Sequence, residues 1–335
     1  MSGARYFRQV LCQTKYSEPG PLCKERESIL AAMSFAIPLP ASVQRRLDDS
    51  VQSLLGDQRR SVVDFTTPVN QEAIVSPSSV SWRIFKNPVA LFVGGTAAVI
   101  LELAEPAVRA GVWEHSSFRQ NALGRLQRTG LAAMVTVYGA RVVAESMIAR
   151  IVQMHSSVRG TTPGGTQYCA NDPNLLAWVH ATAAYSFAAA YSRYVARLDD
   201  AEFSRLFREG APIARLYGAQ YCPQSLDEMN ALMDRMRPTL GPSPIIFEFL
   251  SIMRAAPALP RSLRWMQSML VRAAVELIPD WLRARLGLSR AFGLQPHERC
   301  LTRLAGAATD RIILPSTPAV QSCVRLGLPA NYLYS

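Results

Sequence analysis

The chain has 335 residues, of which 49% are hydrophobic and 18% charged, enough to bury the core of one large domain or two modest ones and inconsistent with disorder throughout. Its net charge of +11 comes from 33 arginines and only Lys15, Lys24 and Lys86, scattered along the chain; without a basic cluster on one face it is no nucleic-acid footprint. Six cysteines, at 12, 23, 169, 222, 300 and 323, form no C-x-x-C pair or finger spacing, and no sustained apolar leader is present, so reduced thiols in a cytoplasmic protein are expected.

In chain order, residues 1–70 differ in character, with SEPGPLCK and TTPVNQ flanking two short amphipathic stretches. They read as an N-terminal helical extension packed on a main body, 71–335. The most apolar stretch, PVALFVGGTAAVIL at 88–101, is bounded by Lys86 and Glu102. It is shorter than the roughly 18–20 residues a bilayer crossing needs and is interrupted by a double glycine, which predicts a buried helix or hairpin. An apolar stripe with Arg141, Glu145 and Arg150 on its wetter side predicts a helix over 131–156.

The loop RGTTPGGTQYCAND follows. Its TPGGT lacks the serine of a nucleophile elbow and the lysine of a phosphate loop, and reads as a turn. Asp172 and Pro173 suit the N-cap and first position of a helix reaching about Leu198, whose many small residues allow close approach and a central place. Further helices are predicted near 200–209, 224–236, 244–254, 261–277 and 279–286, with RPTLGPSP and RAAPALPRS separating three of them. Nothing repeats at a fixed period and no convincing run of strands occurs, so the fold class is all-α, a single large multi-helix domain.

Four histidines, His115, His155, His180 and His297, are the scarce groups. No two have the spacing by which one helix binds a metal, and the Glu-x-x-His units of a di-iron bundle are missing. His155 falls near the end of its helix and His180 about two turns into the next; each, taken alone, reads as a partly buried histidine held by a hydrogen bond or as a ligand. In NALGRLQRTG, Arg125, Arg128 and Thr129 stand at i, i+3 and i+4, neighbours on one helical face. Spacing alone leaves that face open between a solvated stripe and a site wall.

The ordered set ELAEPAVRAGVWEHSSF, ALGRLQRTG, QMHSSVRG, GGTQYCANDPNLLAWVHAT and PDWLRARLGL, over about residues 75–290, resembles the MpaB and rubber-oxygenase (latex-clearing protein) family of all-α haem-b oxygenases with a globin-like helical core. The resemblance implies a haem b held by one histidine in an apolar helical pocket, with an arginine and a threonine on its other face. The family's R-x-x-[K/R]-T falls on Arg125, Arg128 and Thr129. The histidine of H-x-x-V-x-G falls on His155, the expected axial ligand of the iron, with His180 of WVHAT in reserve or else a supporting histidine. His115 would support the pocket or cap a helix. Two positions depart from the family. Glu105 replaces a frequent histidine and adds a carboxylate that must be paired or solvated. Arg128 stands where rubber oxygenases carry a lysine; arginine keeps its proton and has no lone pair to offer iron.

The activity implied is that of a haem-dependent oxygenase using O2 and an unidentified electron donor on a lipophilic, unsaturated or isoprenoid-like small molecule. The cofactor would supply the redox chemistry. Arg125 would donate hydrogen bonds to negative charge developing on bound oxygen. Thr129 would orient a water or an oxygen species, or simply bond back to its own i−4 carbonyl. Two competing readings are a helical haem- or lipid-binding sensor or carrier without turnover, and a cofactor-free protein whose arginine stripe is a salt-bridged face. A lipophilic substrate and the positive charge allow peripheral membrane contact, although no basic amphipathic anchor is evident in the sequence.

Overall fold

The structure, a computed structural model, describes residues 63–259 and 263–334 together with 42, 44, 45 and 48. Most of the expected 1–70 extension lies outside the described residues. A short helix and a long one open the folded body. In α1, Val80–Phe85, the Ser79 hydroxyl caps by accepting from the Trp82 N–H. α2, Pro88–Ala104, is capped by Asn87 with proline at the first position, where a missing N–H costs nothing. The apolar stretch is thus one buried helix. α3, Pro106–His115, leaves it at 111°. Among the described residues no single helix is long and apolar enough to cross a membrane.

The helix expected over 131–156 is two helices: α4, Ala122–Tyr138, and α5, Arg141–His155. Gly139, a poor helix former, takes an extended conformation between them, and the Arg141 N–H leaves the helical ladder to donate to the Glu72 carbonyl at 2.8 Å. α4 begins at its cap Asn121, so NALGRLQRTG forms its first half. Next comes a hairpin absent from the sequence reading, β1 Arg159–Thr161 and β2 Gln167–Cys169, antiparallel with Gly160 opposite Tyr168. Three residues per strand are too few for alternation to show. TPGGT is its turn, with Gly165 at φ +84°.

α6, Pro173–Tyr194, starts at Asp172, whose carboxylate accepts from the N–H groups of Asn174 and Leu175. α7, Asp200–Tyr217, carries a full capping box between Asp199 and Glu202. The rest is α8 Leu226–Met236, α9 Pro244–Ala255, α10 Arg264–Val275, α11 Asp280–Leu286, α12 Pro296–Thr309 and α13 Pro318–Arg325. The fold is all-α apart from the hairpin.

α2 and α6 are the central pair, packed along their lengths with α10, α12 and α7 around them. A Cβ on Gly94 would lie 2.8 Å from the Phe187 Cα, so this approach requires glycine. The pair is antiparallel: Glu105, after the end of α2, feels the charge of Asp172 at the start of α6. A second core joins Phe65 and Ala73 to Trp82, α4 and α13. Cys169, Cys222 and Cys323 are free thiols, whereas Cys300 on α12 is disulfide-bonded, with its partner outside the described residues. This departs from the expectation of reduced thiols throughout.

Candidate active site

On α2 the residues Phe92, Gly95, Val99 and Glu102, spaced three or four apart, are only half-buried although their neighbours are fully buried. On α6 the same holds for Val179, His180, Ala183, Ala184 and Phe187. A Cβ on Gly95 would stand 3.8 Å from the Phe187 ring, so the two half-buried apolar stripes meet along one side of the helix pair. Seven residues from that contact along each helix, the antiparallel pair brings Glu102 and His180 to the same level.

Arg125 on α4 is the electrostatic partner of Glu102. Burial drives the Glu102 carboxyl up to about 7, against the opposing pull of Arg125. The Arg125 pKa is itself lowered, first by burial, with Glu102 working the other way. Its guanidinium donates to the Thr129 hydroxyl, which in turn donates to the Arg125 carbonyl at 2.8 Å. The i−4 back-bond foreseen for Thr129 therefore forms, and the same hydroxyl also steadies the arginine. Arg128 takes another course: it is exposed and donates to the Ser117 hydroxyl at 2.7 Å.

His155 is the last residue of α5, and its turn is anchored by Asn171, whose amide donates to the Val152 carbonyl at 3.0 Å. The imidazole is half-buried and its Nδ1 is buried with no hydrogen-bond partner. Burial, and then the nearby charge of Arg125, lower its pKa, so the ring is neutral and keeps a lone pair. His180 is placed similarly: its Nε2 is buried and unpartnered, and burial pushes its pKa down to about 4. Gly210 on α7 makes room for it, since a Cβ there would stand 3.0 Å from Nε2.

The structure thus brings Arg125, Glu102 and His155 together, with Thr129, itself exposed, bonded to Arg125, and turns Arg128 to Ser117. Glu102 was visible in the sequence only as the end of an apolar run; a lone carboxylate on the last turn of a buried helix was the available signal. Glu105 is 7% exposed and finds its partners as the cap of α3, accepting from the Val108 N–H at 2.7 Å. His115 ends α3 and lies 3.2 Å from the Tyr168 hydroxyl, which also donates to Glu114. A separate cavity of about 700 Å³ opens beside this group, lined by Glu105, Arg159, Thr161, Gln167, Tyr168 and Asp172 among others. None of Glu102, Arg125, His155 and His180 borders it. Among the described residues no three His, Cys, Asp or Glu side chains gather to hold a metal ion by themselves.

Comparison with known proteins gives one family: that described as "ER-bound oxygenase mpaB/B'/Rubber oxygenase, catalytic domain" matches residues 82–310. No curated protein and no solved structure gives a match.

Proposed function

The chain belongs to the mpaB and rubber-oxygenase catalytic-domain family, and from that membership we propose that it is a haem-b-dependent oxygenase acting with O2 on a lipophilic, unsaturated or isoprenoid-like small molecule. The observation that carries the haem reading is His155: a half-buried imidazole whose buried Nδ1 has no hydrogen-bond partner, within reach of the charge of half-buried Arg125. A buried polar atom is ordinarily satisfied, and an orphan of this kind is a place for a ligand. These residues fit a haem, which His155 would hold through its free ring nitrogen, with His180, equally unpartnered, as the alternative. When bound, the haem supplies the redox chemistry of O2.

The chain's own residues supply orientation, charge and dryness. Arg125, steadied by Thr129 and opposed by Glu102, presents fixed N–H donors where negative charge collects during the reaction. Glu102, with its pKa near 7, can hold or release a proton at neutral pH beside that arginine. Phe92, Val99, Ala183, Ala184 and Phe187 form an apolar wall that excludes water and accepts a hydrocarbon chain. Arg128 contributes positive field from the rim and, remaining protonated, ligates nothing.

The test is a visible spectrum of the protein reconstituted with haemin, followed by haem content in His155→Ala and His180→Ala. A Soret band lost in H155A and kept in H180A is expected. The reverse pattern moves the ligand to His180, and no Soret band in the wild-type chain rejects the cofactor. O2 consumption with an unsaturated lipophile under reducing conditions separates an oxygenase from a haem-binding sensor or carrier, which would show a Soret band without consumption.

A further inference from the structure

The far end of α9 and the start of α10 are held side by side by Gln267, whose buried amide donates to the Met253 carbonyl at 2.6 Å and to that of Ala256. Around this clasp large apolar side chains are left in water. Trp265 is 62% exposed and Leu263 is 36% exposed, and Phe247 on α9 is 37% exposed. Phe247 and Arg254 stand seven residues apart on one face of α9. The Arg254 guanidinium lies 5.7 Å from the centre of the Phe292 ring, and that ring packs edge-on against Phe247 at 5.6 Å. Arg254 also feels the charge of Arg272 on α10, and Trp265 stands seven residues before Arg272 on that same helical face, so the apolar groups at Phe247 and Phe292 and those at Leu263 and Trp265 flank one arginine-bearing surface.

The patch is also positive. Arg254, Arg264 and Arg290 are exposed, and none makes an ion pair with a carboxylate among the described residues. The acid on the same helix, Glu248, is taken by Arg119 at 2.8 Å. An exposed tryptophan and leucine beside uncompensated arginines have two complementary needs, an apolar layer and a layer of anions. A bilayer surface stacks those layers in that order: the indole and leucine reach the acyl boundary while guanidinium groups bond headgroup phosphates. A second copy of this chain fits poorly, because a two-fold contact through the patch would set three arginines against three. A nucleic acid would use the arginines but leave Leu263 and Phe247 in water.

We propose that this face, built from α9, the start of α10 and the turn at Phe292, docks the protein onto a membrane surface bearing anionic lipid. The docking stands independently of the haem reading. Its test is flotation of the full chain with phosphatidylcholine vesicles, with and without phosphatidylserine, together with tryptophan emission. The wild-type chain is expected to float with the anionic vesicles, less so at high salt, and to show a blue shift that Trp265→Phe abolishes, the other four tryptophans being unaffected. The pair L263S and W265S is expected to lower binding about tenfold or more, and R254Q with R264Q to remove the preference for anionic lipid. Both pairs lie on the surface, and an unchanged circular dichroism spectrum certifies their fold. The proposal is overturned if the wild-type chain does not float, if L263S/W265S floats equally well, or if that pair instead dissolves a dimer or abolishes binding to a nucleic acid. Flotation is read with or without haem, so its failure leaves the oxygenase reading in place, and a missing Soret band leaves docking in place.

Discussion

Glu102 and His180 lie at one level of the α2–α6 pair and have pKa values shifted in opposite senses, which makes their protonation visible in folding. Glu102 has its pKa raised to about 7 in the fold. Its contribution to stability is therefore complete below its unfolded value near 4.5 and is lost as pH rises through 7. His180, lowered from 6.5 to about 4, contributes above 6.5 and loses that contribution as pH falls toward 4; His155, also lowered, adds to it. Between these limits the slopes largely cancel. Glu102→Gln should unmask the histidine slope, so that stability to urea falls with acidification through the window by on the order of 2 kcal/mol, discounted for partial exposure. His180→Leu should leave the reverse slope, with stability declining toward neutral pH. Identical urea midpoint–pH curves for wild type and E102Q would show that Glu102 does not titrate in this way. Histidine NMR gives a second check. Because Arg125 depresses the His155 pKa, Arg125→Gln should raise it toward 6.5, while Arg128→Gln, at the outward residue, should leave it in place.

At the scale of the helix, that contrast marks what the sequence could and could not resolve. Spacing correctly put Arg125, Arg128 and Thr129 on one helix, but an α-helix advances about 100° per residue. Thr129 therefore sits about 40° from Arg125, whereas Arg128 lies about 60° to the other side, far enough to be turned out to Ser117. Most helices from α6 to α11 were legible from caps and prolines at their ends, but α7, expected to stop near 209, runs to Tyr217 with Pro212 inside it. The break at Gly139 was not, since the apolar stripe runs on across it and the deciding bond, from Arg141 to Glu72, spans distant sequence. The docking face was hidden for the same reason: Phe247, Arg254 and Phe292 become neighbours only through ring packing, and Gln267 brings the start of α10 beside the end of α9. The double glycine of α2 was read as an interruption, yet the two glycines have different tasks. Gly94→Ala places a Cβ 2.7 Å from the Phe187 ring and 2.8 Å from its Cα, backbone that cannot step aside, and should cost about 1–3 kcal/mol. Gly95→Ala meets only ordinary contact at 3.8 Å and should stabilise by up to about 1 kcal/mol through helix propensity. Paired thermal melts decide it: equal effects at both positions would mean that the α2–α6 contact does not depend on Gly94.

Across the whole molecule, the segments outside the family match at 82–310 are tied to the helix that carries the site. Arg325, at the end of α13, is 1% exposed and has no carboxylate partner among the described residues. Its guanidinium is instead surrounded by carbonyls, donating to Phe65 at 2.8 Å, Gln71 at 2.9 Å and Tyr138 at 2.6 Å. The Asn70 N–H returns a bond to the Arg325 carbonyl at 2.8 Å. One planar fork thus joins the segment before α1, the last residue of α4 and α13, while the first half of α4 carries Arg125. Arg325→Met would leave the Phe65 and Gln71 carbonyls without a donor, each costing about 1–3 kcal/mol, while the Tyr138 carbonyl keeps its bond from the Ser322 hydroxyl at 2.9 Å, and should lower stability to urea by on the order of 2–4 kcal/mol. Arg325→Lys keeps the charge but not the planar fork that reaches three directions, and should recover only part of the loss. A loss under about 1 kcal/mol in R325M would show that water enters and replaces the guanidinium. The effect should also be local before it is global. Amide exchange in R325M should accelerate first along α4 and α13, with the α2–α6 pair still protected, because the pair is held by its own contacts and α4 by this fork. Arg125 would then lose its fixed position with no residue of the site changed, so the His155 pKa in R325M should drift upward as it does in R125Q.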